Sequence, residues 1–169
     1  AGSDWHSKNK SVNYDYQTNT SPVKSWDENG NSKNYETSTL YVAQVTDENG
    51  NITREYKDLL GQVILKESVT NTENLKTFYI YDDYGLLRTV VPPLANGPGD
   101  KELCYFYTYD ERKRMISKKL PGAESVYMVY DKRDRLVLTQ DGNMRNESTT
   151  AANKYMFIRY DEYNRPAMT

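Results

Sequence analysis

The feature that most constrains this chain is a turn written five times. Aspartates stand at Asp58, Asp82, Asp110, Asp131 and Asp161. Three residues after each comes Gly61, Gly85, Lys113, Asp134 or Asn164, and five residues after each an apolar residue: Val63, Leu87, Met115, Leu136 or Pro166. In the last four copies the residue before the aspartate is a tyrosine, Tyr81, Tyr109, Tyr130 or Tyr160, while the first copy has Lys57 there and Tyr56 one step back. Thr77 to Pro92 shows what the pattern builds. Tyr79 and Tyr81 alternate onto one face of a strand. Asp82 offers a side-chain oxygen to the turn backbone, and Gly85 supplies the positive φ that reversal needs. Leu87, Thr89 and Val91 alternate away. Gly, Asn and Asp tolerate the left-handed conformation, so Lys113 is expected to carry strain there.

The five aspartates follow one another at intervals of 24, 28, 21 and 30 residues. Two strands of about seven residues and two short turns need that much chain. Opposite-end turns are expected at Thr70 to Asn74, Pro92 to Asp100, Pro121-Gly122 and Asp141 to Asn153. Upstream, Asp-Glu-Asn-Gly-Asn occurs at Asp27 and again at Asp47, and Asn-Gly between β-prone flanks is a hairpin signal. Leu59 to Leu65 also fits a helical period, but Gly61 in its middle and the downstream copies argue for a turn. The expected fold is all-β, an antiparallel meander of repeated β-hairpins. Residues 1–39 form a polar lead with one hairpin and a short edge strand around Tyr14 and Tyr16; residues 40–169 form the hairpin array.

Leu, Ile, Val and Phe together number only 31 of 169 residues. Sixteen tyrosines and a net charge of −2 weigh against disorder, so a thin, aromatic-lined structure is expected. The balanced charge, with no basic cluster, argues against nucleic acid as a partner. No apolar run approaches a membrane span. The opening Ala1-Gly2-Ser3, without an initiator Met, reads as a piece cut from a longer chain.

The Tyr-Asp-x-x-Gly-like turn resembles the YD repeat of the Rhs family. Tyr79 to Pro93, Leu103 to Pro121, Val126 to Gly142 and Phe157 to Thr169 carry the likeness, which covers residues 40–169. The resemblance implies strips of β-hairpins coiled side by side into a hollow shell, here an open section of one. It implies an extracellular or cell-surface location, the rest of a parent Rhs chain as partner, and in polymorphic toxins an enclosed C-terminal effector. The core segment that follows the repeats in complete members is missing. Stacked hairpins would align Tyr79, Tyr81, Tyr107, Tyr109, Tyr130 and Tyr160 as an aromatic ladder. Bare strand edges predict edge-mediated self-association or capping by residues 1–40.

Chemistry is harder to find. His6 is the lone histidine and sits in the polar lead, so no Ser–His or Cys–His system is supported. Cys104, the lone cysteine, alternates between Leu103 and Tyr105 and reads as a small buried hydrophobe. No Cys/His set has zinc spacing, and Gly in fourth place after Asp27 or Asp47 suits a hairpin rather than a calcium loop. No catalytic, cofactor or metal site is expected, and the chain reads as a non-enzyme. The acid pairs Asp82-Asp83, Asp110-Glu111 and Asp161-Glu162 fall in turns and point to solvent, so the fixed separation that paired-carboxylate hydrolysis needs is not expected. Arg114, Arg135 and Arg165, each four residues after a turn aspartate, are expected to pair with acidic turns or stack on tyrosine rather than to bind anions. Exposed tyrosine faces offer a second function, binding a glycan or a surface protein. Asn19, Asn51 and Asn146 begin glycosylation sequons.

Overall fold

The computed structural model describes residues 11–146 and 154–168. The chain divides after Asp100 into two compact units. Both are built from short antiparallel strands.

Unit 1 holds β1 (Asn13–Thr18), β2 (Val23–Trp26), β3 (Ser32–Tyr35), β4 (Tyr41–Thr46), β5 (Ile52–Lys57), β6 (Val63–Val69), β7 (Asn74–Tyr81) and β8 (Leu87–Val91). From β4 to β8 each strand pairs with the next, a plain meander. β1 adds on the far side of β4, with Asn13 opposite Thr46 and Thr18 opposite Tyr41, so the polar lead caps that edge. β2 and β3 form a separate hairpin. Asn19, read above only as a sequon, anchors its base. Its amide nitrogen donates to the Ser21 and Glu36 carbonyls, and its carbonyl oxygen accepts from the Leu40 amide. Buried and fully engaged, it joins the end of β1 to the start of β4.

Apolar packing in unit 1 is thin, as the composition requires. Val23, Leu40, Ile64 and Leu65 form one buried cluster, flanked by half-buried Tyr35, Tyr56, Phe78 and Tyr81. Trp26 meets Phe78 edge to face, ring centroids 5.0 Å apart. Leu59 and Leu60 stand exposed in the turn before β6, which disposes of the helical alternative.

Unit 2 contains β9 (Tyr105–Tyr109), β10 (Met115–Lys119), β11 (Val126–Tyr130) and β12 (Leu136–Gln140), again a meander. A short helix, α1 (Gly142–Asn146), then precedes β13 (Met156–Phe157), which pairs with β12. β14 (Arg159–Tyr160) and β15 (Pro166–Met168) close a two-stranded ribbon. α1 occupies a spacer expected to be a simple turn. Asp141 caps it, its Oδ1 accepting from the Met144 amide.

Register holds one regularity that the sequence pattern did not reveal. After each of the five main-repeat aspartates, the residue before it pairs with the residue five after it. The next rung then skips one residue. Ile64, Arg88, Ile116, Val137 and Ala167 are therefore bulged. The hairpins around Asp27 and Asp47 pair without a shift.

Candidate functional site: the aspartate turns and the clasp between them

Seven turns share one geometry, because Asp27 and Asp47 turn out to build the same reversal as the five main-repeat aspartates. The aspartate amide donates to the carbonyl four residues on, and the amide three residues on donates back to the aspartate carbonyl. Oδ1 accepts the amides at the second and fourth following positions, at 2.8–3.0 Å. One carboxylate oxygen thus satisfies two turn amides that the strand ladder cannot reach.

The third position is left-handed in every copy. It is glycine in unit 1, with φ of 82°, 84°, 79° and 76° at Gly30, Gly50, Gly61 and Gly85. In unit 2 it is Lys113, Asp134 and Asn164, at 63°, 61° and 62°. A side chain held there costs about 1–3 kcal/mol relative to glycine.

The second carboxylate oxygen separates the copies further. Asn31 and Asn51 donate to Oδ2 of Asp27 and Asp47 at 3.0 and 2.8 Å. In unit 2, Nε of Arg114, Arg135 and Arg165 donates to Oδ2 of Asp110, Asp131 and Asp161 at 2.7, 2.8 and 2.8 Å. These bonds favour the charged form. The Asn31 and Asn51 side chains hold Asp27 and Asp47 below the usual carboxylate value, and the Arg114 side chain does the same for Asp110. For Asp131 and Asp161 the backbone amides of Arg135 and Arg165 act first and their guanidinium groups add to the effect.

The same arginines reach forward into the next repeat. Arg114 lies over the Tyr130 ring at 4.9 Å and donates through Nη1 to the Asp131 carbonyl and to Asp134 Oδ1. Arg112 adds a second bond to Asp134 Oδ1. Arg135 lies over the Tyr160 ring at 4.8 Å and donates to Asn164 Oδ1. The tyrosines reach back: Tyr130 donates to the Met115 carbonyl and Tyr160 to the Leu136 carbonyl, at 2.8 and 2.9 Å. Tyr81 makes the equivalent bond to Val63 in unit 1. Each accepting carbonyl sits beside a bulge, where the ladder is interrupted. Gln62, at the arginine position, only touches the Gly85 carbonyl, at 3.4 Å. At Tyr130 and Tyr160 the expected stack of ring on ring is thus a stack of guanidinium on ring.

At Asp134 and Asn164 the third-position side chain has a reason. Asp134 and Asn164 accept strain because they receive an arginine from the preceding repeat. Arg165 has no further described turn beyond it. It lies over its own Tyr163 ring and its side chain is 73% exposed, against 22% and 23% for Arg114 and Arg135.

Tyr79 faces Val90 on β8, Tyr107 faces Lys118 on β10, and Tyr109 faces Met115, all half-buried. Burial pushes the Tyr81 and Tyr107 phenols up, with neighbouring Tyr79 and Tyr105 adding to it. Cys104 is buried with no exposed surface. His6 lies outside the described residues. Among the described residues no group of three or more His, Cys, Asp and Glu is placed to hold a metal ion. A charged row in unit 1 escaped the sequence pattern: Arg54, Glu67 and Lys76 stand in register across β5, β6 and β7. Charges of opposite sign at matching strand positions are its only sequence signal, usable once register is known.

No family model matches the chain, and no curated protein matches it.

Proposed function

We propose that the chain is a non-enzymatic structural repeat segment of an Rhs-type secreted or cell-surface protein, contributing wall to an encapsulating β-shell. The clasp is the observation that carries this. The most chemically capable side chains of unit 2 are spent on structure: arginine on tyrosine and tyrosine on carbonyl join one hairpin to the next, and aspartate on turn amides fixes each reversal. Such an array extends by adding hairpins, and its sides rather than a pocket are its product. The partners that follow are the rest of the parent chain and an enclosed C-terminal effector.

Protease protection of the parent chain's C-terminal segment tests the proposal. Deleting residues 40–169 should expose that segment to rapid cleavage; unchanged cleavage would remove the encapsulating role. A second reading, an adhesion module for a glycan or surface protein, draws on Tyr14, Tyr16 and Tyr41. Their rings stand exposed on one face of the β1–β4 pair. Loss of cell or glycan binding by a folded Tyr14→Ala/Tyr16→Ala variant, with protection of the effector intact, would favour that reading.

A further inference from the structure

We infer that a cleft on the sheet of unit 1, roofed by residues 17–24, is a binding site for a small hydroxylated carboxylate. Its volume is about 510 Å³, within the range of small-molecule sites. The floor is the row Arg54, Glu67 and Lys76, with Tyr56 and Phe78 forming the next row.

Glu67 is the anchor of that floor, its side chain only 7% exposed. Its Oε2 accepts from Arg54 Nη1 at 3.0 Å and from the Tyr56 hydroxyl at 3.2 Å. Its Oε1 accepts from Asn74 at 3.0 Å and lies 3.4 Å from Lys76 Nζ. Burial pushes the carboxyl up, but the bonds from Asn74 and Arg54 and the charge of Lys76 pull it further down, so it stays ionised. Arg54 is fixed from its other side by Nε donating to Gln44 Oε1 at 2.7 Å. A buried charge held this completely forms a rigid base rather than a mobile surface pair.

Charge decides what the cleft accepts. Arg54, Lys76 and the rim residue Lys24 outnumber the one carboxylate of the lining, leaving a local positive surplus in a chain whose net charge is −2. Arg54 and Lys76 already bracket one carboxylate, and Arg54 Nη2 is not used by the bonds that do so. A second, incoming carboxylate fits the same pair from the solvent side. Asn19 is already spent on backbone, but Gln17, Thr20 and Ser21 bring amide and hydroxyl groups to the roof, matched to a ligand with hydroxyls. Tyr56 and Phe78 supply the apolar side.

Glucuronate is the probe, titrated into the full chain at low salt and followed by amide NMR, with glucose and inorganic phosphate as comparisons. Saturable shifts confined to β5–β7 and residues 17–24 are expected. Glucose should bind about tenfold more weakly, the loss of one charge-assisted contact. Phosphate should also bind more weakly, and 0.5 M NaCl should weaken glucuronate binding. Arg54→Gln unpairs Glu67 and risks unfolding, so the rim variant Lys24→Gln/Lys76→Gln carries the test: about tenfold weaker glucuronate binding with an unchanged fold by circular dichroism. Absence of saturation, equal binding of glucose or phosphate, or a folded rim variant with undiminished affinity each overturns the site. The site stands or falls separately from the shell proposal.

Discussion

Val23, Leu40, Val42, Ile64, Leu65, Ile80 and Val91 are buried in unit 1, whereas among the described residues of unit 2 only Cys104 is a buried apolar side chain. The guanidinium clasps are distributed the other way: Arg114, Arg135 and Arg165 hold aspartate turns in unit 2, and unit 1 uses asparagine, glutamine or leucine at the same position. Both units are meanders of short hairpins with the same turn. Unit 1 adds a second layer, the β2–β3 hairpin, whose Val23 and Tyr35 join the cluster, and so has an inside to bury apolar groups in. Unit 2 does without such a cluster and fastens hairpins along their turns. A repeat array can therefore hold itself together by an apolar layer or by turn-to-turn clasps, and the two respond to different insults.

The largest expected effect is on the apolar layer. Leu65→Ala should cost about 3 kcal/mol in urea unfolding of unit 1, because it opens a cavity in the buried cluster there. Leu138→Ala, half-buried on β12, should cost about 1 kcal/mol. Equal losses would break the contrast. In unit 2 the sensitive residue is Tyr130. Tyr130→Ala removes both the ring beneath Arg114 and the bond to Met115, and should cost about 2 kcal/mol; Tyr130→Phe keeps the ring and should cost about 1 kcal/mol.

Third-position swaps sharpen the comparison at smaller scale. At Gly61 an added Cβ meets nothing within 4 Å, so Gly61→Ala isolates backbone strain and should cost about 1–2 kcal/mol. Lys113→Gly should relieve the same strain and gain about 0.5–1 kcal/mol in thermal or urea unfolding. Asp134→Gly should gain less, since Arg112 and Arg114 lose their acceptor. The smallest effect concerns pH. Asp110, Asp131 and Asp161 are held below the ordinary carboxyl value of 3.8. Their stabilisation is complete above that value and is lost as pH falls through their lower folded values. Arg135→Gln should move the acid loss of unit 2 NMR signals to higher pH. An unchanged acid midpoint would show that the backbone amides alone hold Asp131.

The meander was legible in the sequence because the turn is local chemistry. Aspartate, a left-handed position and an apolar return lie within six residues, and each has its own physical reason. Fastening by arginine was legible for the same reason, at fixed distance from the aspartate. What escaped was non-local. The bulges after the main-repeat turns change pairing without changing composition, and Asn19 looks like any loop asparagine until it bonds to Glu36 and Leu40. The Arg54–Glu67–Lys76 row depends on the register of three strands. The α1 turn was hidden behind Gly142, a poor helix former, with Asp141 as its one signal.

The clasp has a direction, and that shapes how such a chain can change over generations. Arg114 and Arg135 are each completed by the tyrosine and third-position residue of the hairpin that follows. Duplication of a whole period, aspartate to aspartate, inserts a hairpin that both donates and receives. A duplication out of phase strands a guanidinium at one seam and leaves a tyrosine uncovered at the other. Gene-level growth of the array should therefore proceed in whole periods joined within the spacers, with lengths between aspartates free to drift and the six residues of the turn kept in frame.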